Sequence, residues 1–120
     1  MSPTLNKRKR GTFGEDLAVD FLRKKGYRIL ERNYHFEHGE IDIIAEEHTM
    51  LVFVEVKARR SKLYGEPEDA VTPKKQNQVR HTADGYLMEK NIDDRACRFD
   101  VVAIDLDTKP NAIRHIEDAF

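Results

Sequence analysis

Apolar residues at Leu17, Ala18, Phe21 and Leu22 recur at helical spacing, and Gly26 supplies a stop. The pattern predicts one amphipathic helix over residues 12–25. The period then changes to two. Tyr27 to Tyr34 reads as a strand, Glu40 to Glu46 as a second and Met50 to Ala58 as a third, and the short break at Glu47-His48-Thr49 suits a hairpin. The third strand is apolar on both faces through Leu51-Val52-Phe53-Val54, which predicts a central place in the sheet. A charged loop follows over residues 59–71. Thr72-Pro73 then opens a helix, threonine as cap and proline in the first turn, that runs to about Lys90 and ends at Asn91. Phe99 to Ile104 is a fourth strand and Ala112 to Ile116 a weaker fifth. Helix, three strands, helix and one or two strands describe an α/β (α+β) fold, a sheet with a helix on each face.

Composition narrows the class. The 120 residues are 39% hydrophobic and 36% charged, enough for one domain with a modest core and a heavily charged surface. No apolar run approaches the roughly 18 residues of a membrane helix, and no signal-like apolar stretch follows Met1. A single cysteine, Cys97, permits no internal disulfide and suits a reducing compartment. The expectation is a cytoplasmic protein without a membrane partner. Residues 1–10, with Pro3 and the run Lys7-Arg8-Lys9-Arg10, read as a flexible basic arm ahead of a single domain over 11–120.

The net charge of −1 excludes a protein that coats nucleic acid by bulk electrostatics, but its distribution is uneven. Residues 1–62 hold 13 Lys and Arg against 10 Asp and Glu, and residues 63–120 hold 8 against 12. A local positive face is all that phosphate binding requires, and the same runs also describe solvated surface.

Chemistry concentrates on the second and third strands. A hairpin centred between His48 and Thr49 pairs residues whose numbers sum to 97, setting Asp42 opposite Glu55 and Glu40 opposite Lys57. Residues two apart share a face. Asp42, Glu55 and Lys57 are therefore expected on one face with Ile44, Phe53 and Leu51, and Ile41, Ile43, Val52, Val54 and Val56 on the other. Facing carboxylates repel, and burial disfavours their charged form. A divalent cation relieves both, since Mg²⁺ is held by one or two carboxylates with water and phosphate oxygens completing its shell. Lys57 could orient the attacking water or offset charge building on the phosphate. The alternative is an ordinary cross-strand bridge from Lys57 to Glu55 or Glu40. Glu15, at the edge of the first helix's apolar stripe, has two readings: an acid that reaches the metal, or favourable charge near a helix start. Lys74, Lys75, Gln78 and Arg80 crowd the first turns of the second helix, where Gln78 could extend toward the acids and the bases toward phosphates, or each could be solvated helix surface. Arg59 and Arg60, at the start of the charged loop, offer the same contact. The five histidines form no ligand set suited to zinc.

At Ile41-Asp42, a gap of 12 residues and then Glu55-Val56-Lys57, the sequence resembles the PD-(D/E)xK nuclease superfamily. More closely, it resembles the bacterial UPF0102 (YraN-like) family. The matching stretches are Gly14 to Ala18, Gly39 to Ala45, Val52 to Arg59, Ala70 to Gln76 and Arg98 to Ala103, in order along nearly the whole chain. The resemblance implies a restriction-endonuclease-like αβββαβ core and a distant kinship with archaeal Holliday junction resolvases, homodimers that use Mg²⁺. It places metal ligands at Glu15, Asp42 and Glu55 and a catalytic lysine at Lys57. Ile41 stands where the superfamily name has proline. The functional expectation is an endonuclease that uses Mg²⁺, or Mn²⁺ in its place, on DNA rather than RNA. A non-catalytic nucleic-acid-binding module on the same fold is the alternative.

Overall fold

A computed structural model describes residues 3–60 and 71–120, with side chains from residue 13 onward. The elements run α1 (Pro3–Lys24), β1 (Arg28–Phe36), β2 (Gly39–Glu47), β3 (Met50–Arg59), α2 (Pro73–Glu89), β4 (Cys97–Asp105) and β5 (Ala112–Ile116). The expected order holds, and the fifth strand is present. The helix α1 begins well before the expected residue 12 and includes most of the stretch read as an arm. The loop expected over 59–71 lies largely outside the described residues, as do the side chains of Lys7 to Arg10 and Lys62.

The five strands form one sheet in the order β1-β2-β3-β4-β5, so β3 is central as its double-sided apolar run requires. All neighbours are antiparallel except β3 and β4, whose parallel pairing needs the crossover that α2 supplies. Each terminus follows local chemistry. Gly26 stops α1 with a φ of +94°, a left-handed value open to glycine. The Thr72 hydroxyl accepts from the Lys75 amide at 3.2 Å, with Pro73 in the first turn, as the sequence predicts. Beyond Glu89, Lys90 caps α2 and Asn91 takes a φ of 53°.

Two apolar layers sandwich the sheet. Ala18, Val19 and Leu22 of α1 pack on Ile43, Ala45, Val52, Val54, Val102 and Ile104. Val79, Ala83 and Tyr86 of α2 pack on Tyr34, Ile41, Ile44, Leu51 and Phe53. Two glycines set how closely the β1–β2 hairpin lies on α2. A Cβ at Gly39 would fall 1.9 Å from the Thr82 hydroxyl, and one at Gly85 would fall 2.3 Å from the Phe36 ring.

The β2–β3 register has the expected sum of 97, from Glu47↔Met50 to Ile43↔Val54. One expectation fails. Ile41 and Ile43 do not share a face, because Ile41 joins the α2 layer and Ile43 the α1 layer. The break has a partner in β1. Arg32 pairs with Ile43 and Tyr34 with Ile41, so Asn33 stands opposite Asp42. Asn33 adopts a φ of 52°, and it and Arg32 both reach toward α1. A left-handed residue in one strand turns both strands at this level, and alternation restarts in the opposite phase beyond it.

Candidate active site at the mouth of the central strands

Pairing between β2 and β3 ends at Ile43↔Val54, one residue before the acids. The Asp42 carboxylate takes over there: its Oδ2 accepts from the Val56 amide at 2.8 Å, a donor the next rung of the ladder would otherwise use. Asp42 thus sits where the strands part. On one side it borders a cavity of about 310 Å³, together with Gly14, Glu15, Val56 and Ala58. On the other its carboxyl lies within hydrogen-bonding reach of Glu55. The expectation that Asp42 points the same way as Glu55 and Lys57 is therefore corrected in part. The turn at Asn33 moves Asp42 toward the α1 side, yet its carboxyl still meets that of Glu55.

Glu55 is 5% exposed. Burial and the neighbouring Asp42 charge push its carboxyl up to about 7, against the pull of Lys75 and Lys57. Burial likewise raises Asp42, with Glu40 adding to it and the Val56 amide and Lys75 opposing. Among the described residues, Glu55 Oε2 is buried without a hydrogen-bond partner. Protonated, the Glu55 carboxyl can share a hydrogen bond with Asp42. Ionised, its Oε2 is an acceptor without a donor, an arrangement that a cation satisfies. Asp42 on the cavity wall and the buried Glu55 beside it offer hard oxygen donors of the kind that Mg²⁺ takes.

The predicted residues are distributed as follows. Lys57 acts electrostatically on Glu55 from two residues along β3, and it is half-buried. Glu15 is buried on the wall of the Asp42 cavity, but its Oε1 is held by Arg32 Nε at 2.8 Å and Asn33 Nδ2 at 3.1 Å. It lies mid-helix, so the reading as charge near a helix start falls away with the longer α1. Among the described residues no group of three His, Cys, Asp or Glu side chains gathers as a ligand set. Arg59 and Arg60 are exposed at the end of β3, with Arg60 3.9 Å from Asp107. Lys74 and Gln78 line a second groove, with His81 and the β1–β2 turn. Gln78 does not extend to the acids.

Two features escaped sequence reasoning. Lys75, expected at phosphates, stands at the acids, its Nζ 3.5 Å from Glu55 Oε1. Spacing along α2 gives no hint of this, because it depends on how the helix is rotated over the sheet. The second is a buried ionic network on the α1 side. Arg98 binds the fully buried Asp100 through Nε and Nη2, each at 2.9 Å, and His115 Nε2 lies 2.7 Å from the same carboxylate. The alternation Arg98-Phe99-Asp100 within an apolar run is the signal that could have located it.

Comparison with known proteins adds the family. The model for "Uncharacterised protein family UPF0102" matches residues 14–104. A UPF0102 protein of Syntrophomonas wolfei is 46% identical over 113 residues, covering 94% of this chain and 98% of the relative. One from Alkaliphilus oremlandii is 48% identical over 115 residues, covering 94% and 98%. One from Flavobacterium psychrophilum is 46% identical over 110 residues, covering 92% of each. The matched span runs from the α1 glycine beside the Asp42 cavity to the end of the apolar run in β4, and by it the chain belongs to the UPF0102 family.

Proposed function

We propose that the chain is a Mg²⁺-dependent endonuclease of the restriction-endonuclease-like PD-(D/E)xK class that hydrolyses phosphodiester bonds in DNA, with branched or damaged DNA as the candidate substrate form. The observation that carries this reading is the convergence of a half-buried carboxyl, Asp42, with a buried one, Glu55, at the end of an otherwise apolar central strand pair, with one Glu55 oxygen left without a donor among the described residues. Such a site is costly unless a cation occupies it. Asp42 and Glu55 would hold the ion. When bound, Mg²⁺ polarises the phosphoryl group and acidifies an attacking water. Mn²⁺ would serve in its place. Lys57 would steady the water or the charge that grows on the non-bridging oxygens. Lys74, Arg59 and Arg60 would meet flanking phosphates, and Gln78 would line their path. A homodimer would present two such sites to a duplex or junction.

The test is cleavage of a panel of linear, nicked, flapped and four-way DNA substrates with Mg²⁺. The native chain should cut at least one of them, and Asp42→Asn, Glu55→Gln and Lys57→Ala should each lower the rate at least a hundredfold while the fold persists. A native chain that cuts nothing on the panel, with Mg²⁺ or Mn²⁺, sinks the proposal. A second reading, a nucleic-acid-binding module without chemistry, draws on the pairing of Glu55 with Lys75 and of Glu15 with Arg32, which neutralises two of the acids internally. It predicts salt-sensitive DNA binding that is indifferent to Mg²⁺.

A further inference from the structure

The acid pair already has a cation beside it. Lys75 Nζ stands 3.5 Å from Glu55 Oε1, and its charge acts on Asp42 as well as on Glu55. Its backbone is fixed, because the Lys75 amide donates to the Thr72 hydroxyl at 3.2 Å and Pro73 stiffens the turn. Its side chain is not fixed: it is one-third exposed, against 6% for Glu55. A compact point charge on a flexible four-carbon stem can leave this position without any change in the helix.

We propose that the Lys75 ammonium is the resident counter-ion of the acid pair, holding the position that a divalent cation takes, so that cation and nucleic acid bind cooperatively through its displacement. The inference rests on the reading of Asp42 and Glu55 as metal ligands. An ammonium and a divalent ion within a few ångströms of the same carboxylate repel each other. Entry of the ion therefore expels Lys75, which loses its partner. One residue away on α2, Lys74, Asn77, Gln78 and His81 line a groove of about 630 Å³ against the β1–β2 turn. Nucleic acid lying in that groove brings phosphate oxygens to the expelled ammonium and supplies a new anion. Phosphate thus favours the metal-bound arrangement, and by linkage metal favours phosphate by the same factor. The protein alone binds metal weakly, and substrate completes the site.

Calorimetric titration with Ca²⁺, without DNA and at saturation with a short duplex, tests this without relying on cleavage. For the native chain DNA should tighten Ca²⁺ binding about tenfold. Lys75→Ala should bind Ca²⁺ about tenfold more tightly without DNA and gain little from the duplex. Lys75→Arg should keep the native coupling. In chelator Lys75→Ala should melt below the native chain, and excess Ca²⁺ should close that gap. Equal or weaker Ca²⁺ binding by Lys75→Ala, or native affinity that DNA leaves unchanged, overturns the counter-ion role while the metal reading stands. No Ca²⁺ binding by native chain or variant, with or without DNA, overturns both. If Lys75→Ala does not fold, Lys75→Gln and the native DNA dependence carry the same test.

Discussion

If Asp42 and Glu55 hold an ion as proposed, they impose opposite demands on the protein with and without it. Without one, their carboxyls crowd together, and a proton, Lys75, Lys57 and the Val56 amide relieve them. Holding Glu55 at about 7 rather than an ordinary 4.5 costs the folded, metal-free chain up to about 3 kcal/mol once the group ionises. Glu55→Gln removes that cost. In chelator at about pH 8 the variant should melt above the native chain, by several degrees for a chain of this size. Excess Mg²⁺ should stabilise the native chain and leave the variant unmoved. A variant that melts lower in chelator would mean that Glu55 is stabilised as an ordinary ion pair with Lys75. The meeting of Asp42 with Glu55 was legible because register follows from a two-residue turn and its flanking alternation. Lys75 was not, since its approach to Glu55 is fixed by how α2 packs on the sheet.

The elements owe their places to short-range chemistry, and their small departures to contacts between them. Caps, periodicity and a glycine stop made α2, β2, β3 and the end of α1 readable. The turn at Asn33 was not readable. A left-handed residue inside a strand is set by what its side chain finds, here Glu15 on α1, and nothing nearby in sequence announces it. That turn nevertheless decides which side of the sheet Asp42 favours. The docking of the β1–β2 hairpin on α2 is equally non-local and can be tested directly. A methyl at Gly85 meets the Phe36 ring, so Gly85→Ala should destabilise the fold by about 2 kcal/mol in chemical denaturation. Adding Phe36→Leu should recover part of the loss, because the smaller side chain makes room. At the start of α2, Thr72→Ala removes the acceptor for the Lys75 amide and should cost about 1 kcal/mol.

Across the whole molecule the two buried charge clusters titrate in opposite senses. At one, hydrogen bonds from His115 and Arg98 and from the Asp118 amide outweigh burial and hold Asp100 below the ordinary carboxylate range. A depressed folded pKa gives stability that is present above the unfolded value of 3.8 and lost as pH falls through the folded one. Asp100→Asn leaves the half-buried Arg98 with Glu47 and Glu117 as its remaining acids and should cost about 2 kcal/mol at neutral pH. At the other cluster the Glu55 carboxyl is raised, so its folded form keeps a proton that the unfolded chain has released. Its contribution is complete below 4.5 and disappears as pH rises to about 7, and Asp42 acts in the same direction. For the metal-free protein these two effects leave a stability maximum near pH 5, with a decline toward pH 8 that belongs to the acid pair. Under the proposed function, divalent metal would bind the ionised carboxyls and reverse the sign of that decline, because ligands must lose their protons to hold an ion. Melting temperatures measured from about pH 4 to 8 should therefore fall with pH in chelator and hold level or rise in excess Mg²⁺. Glu55→Gln should be nearly flat over the upper half of that range in both. Parallel curves for the native chain with and without Mg²⁺ would show that no ion reads the charge state of these carboxyls, and the fold would then lack the feature on which the proposed phosphodiester chemistry depends.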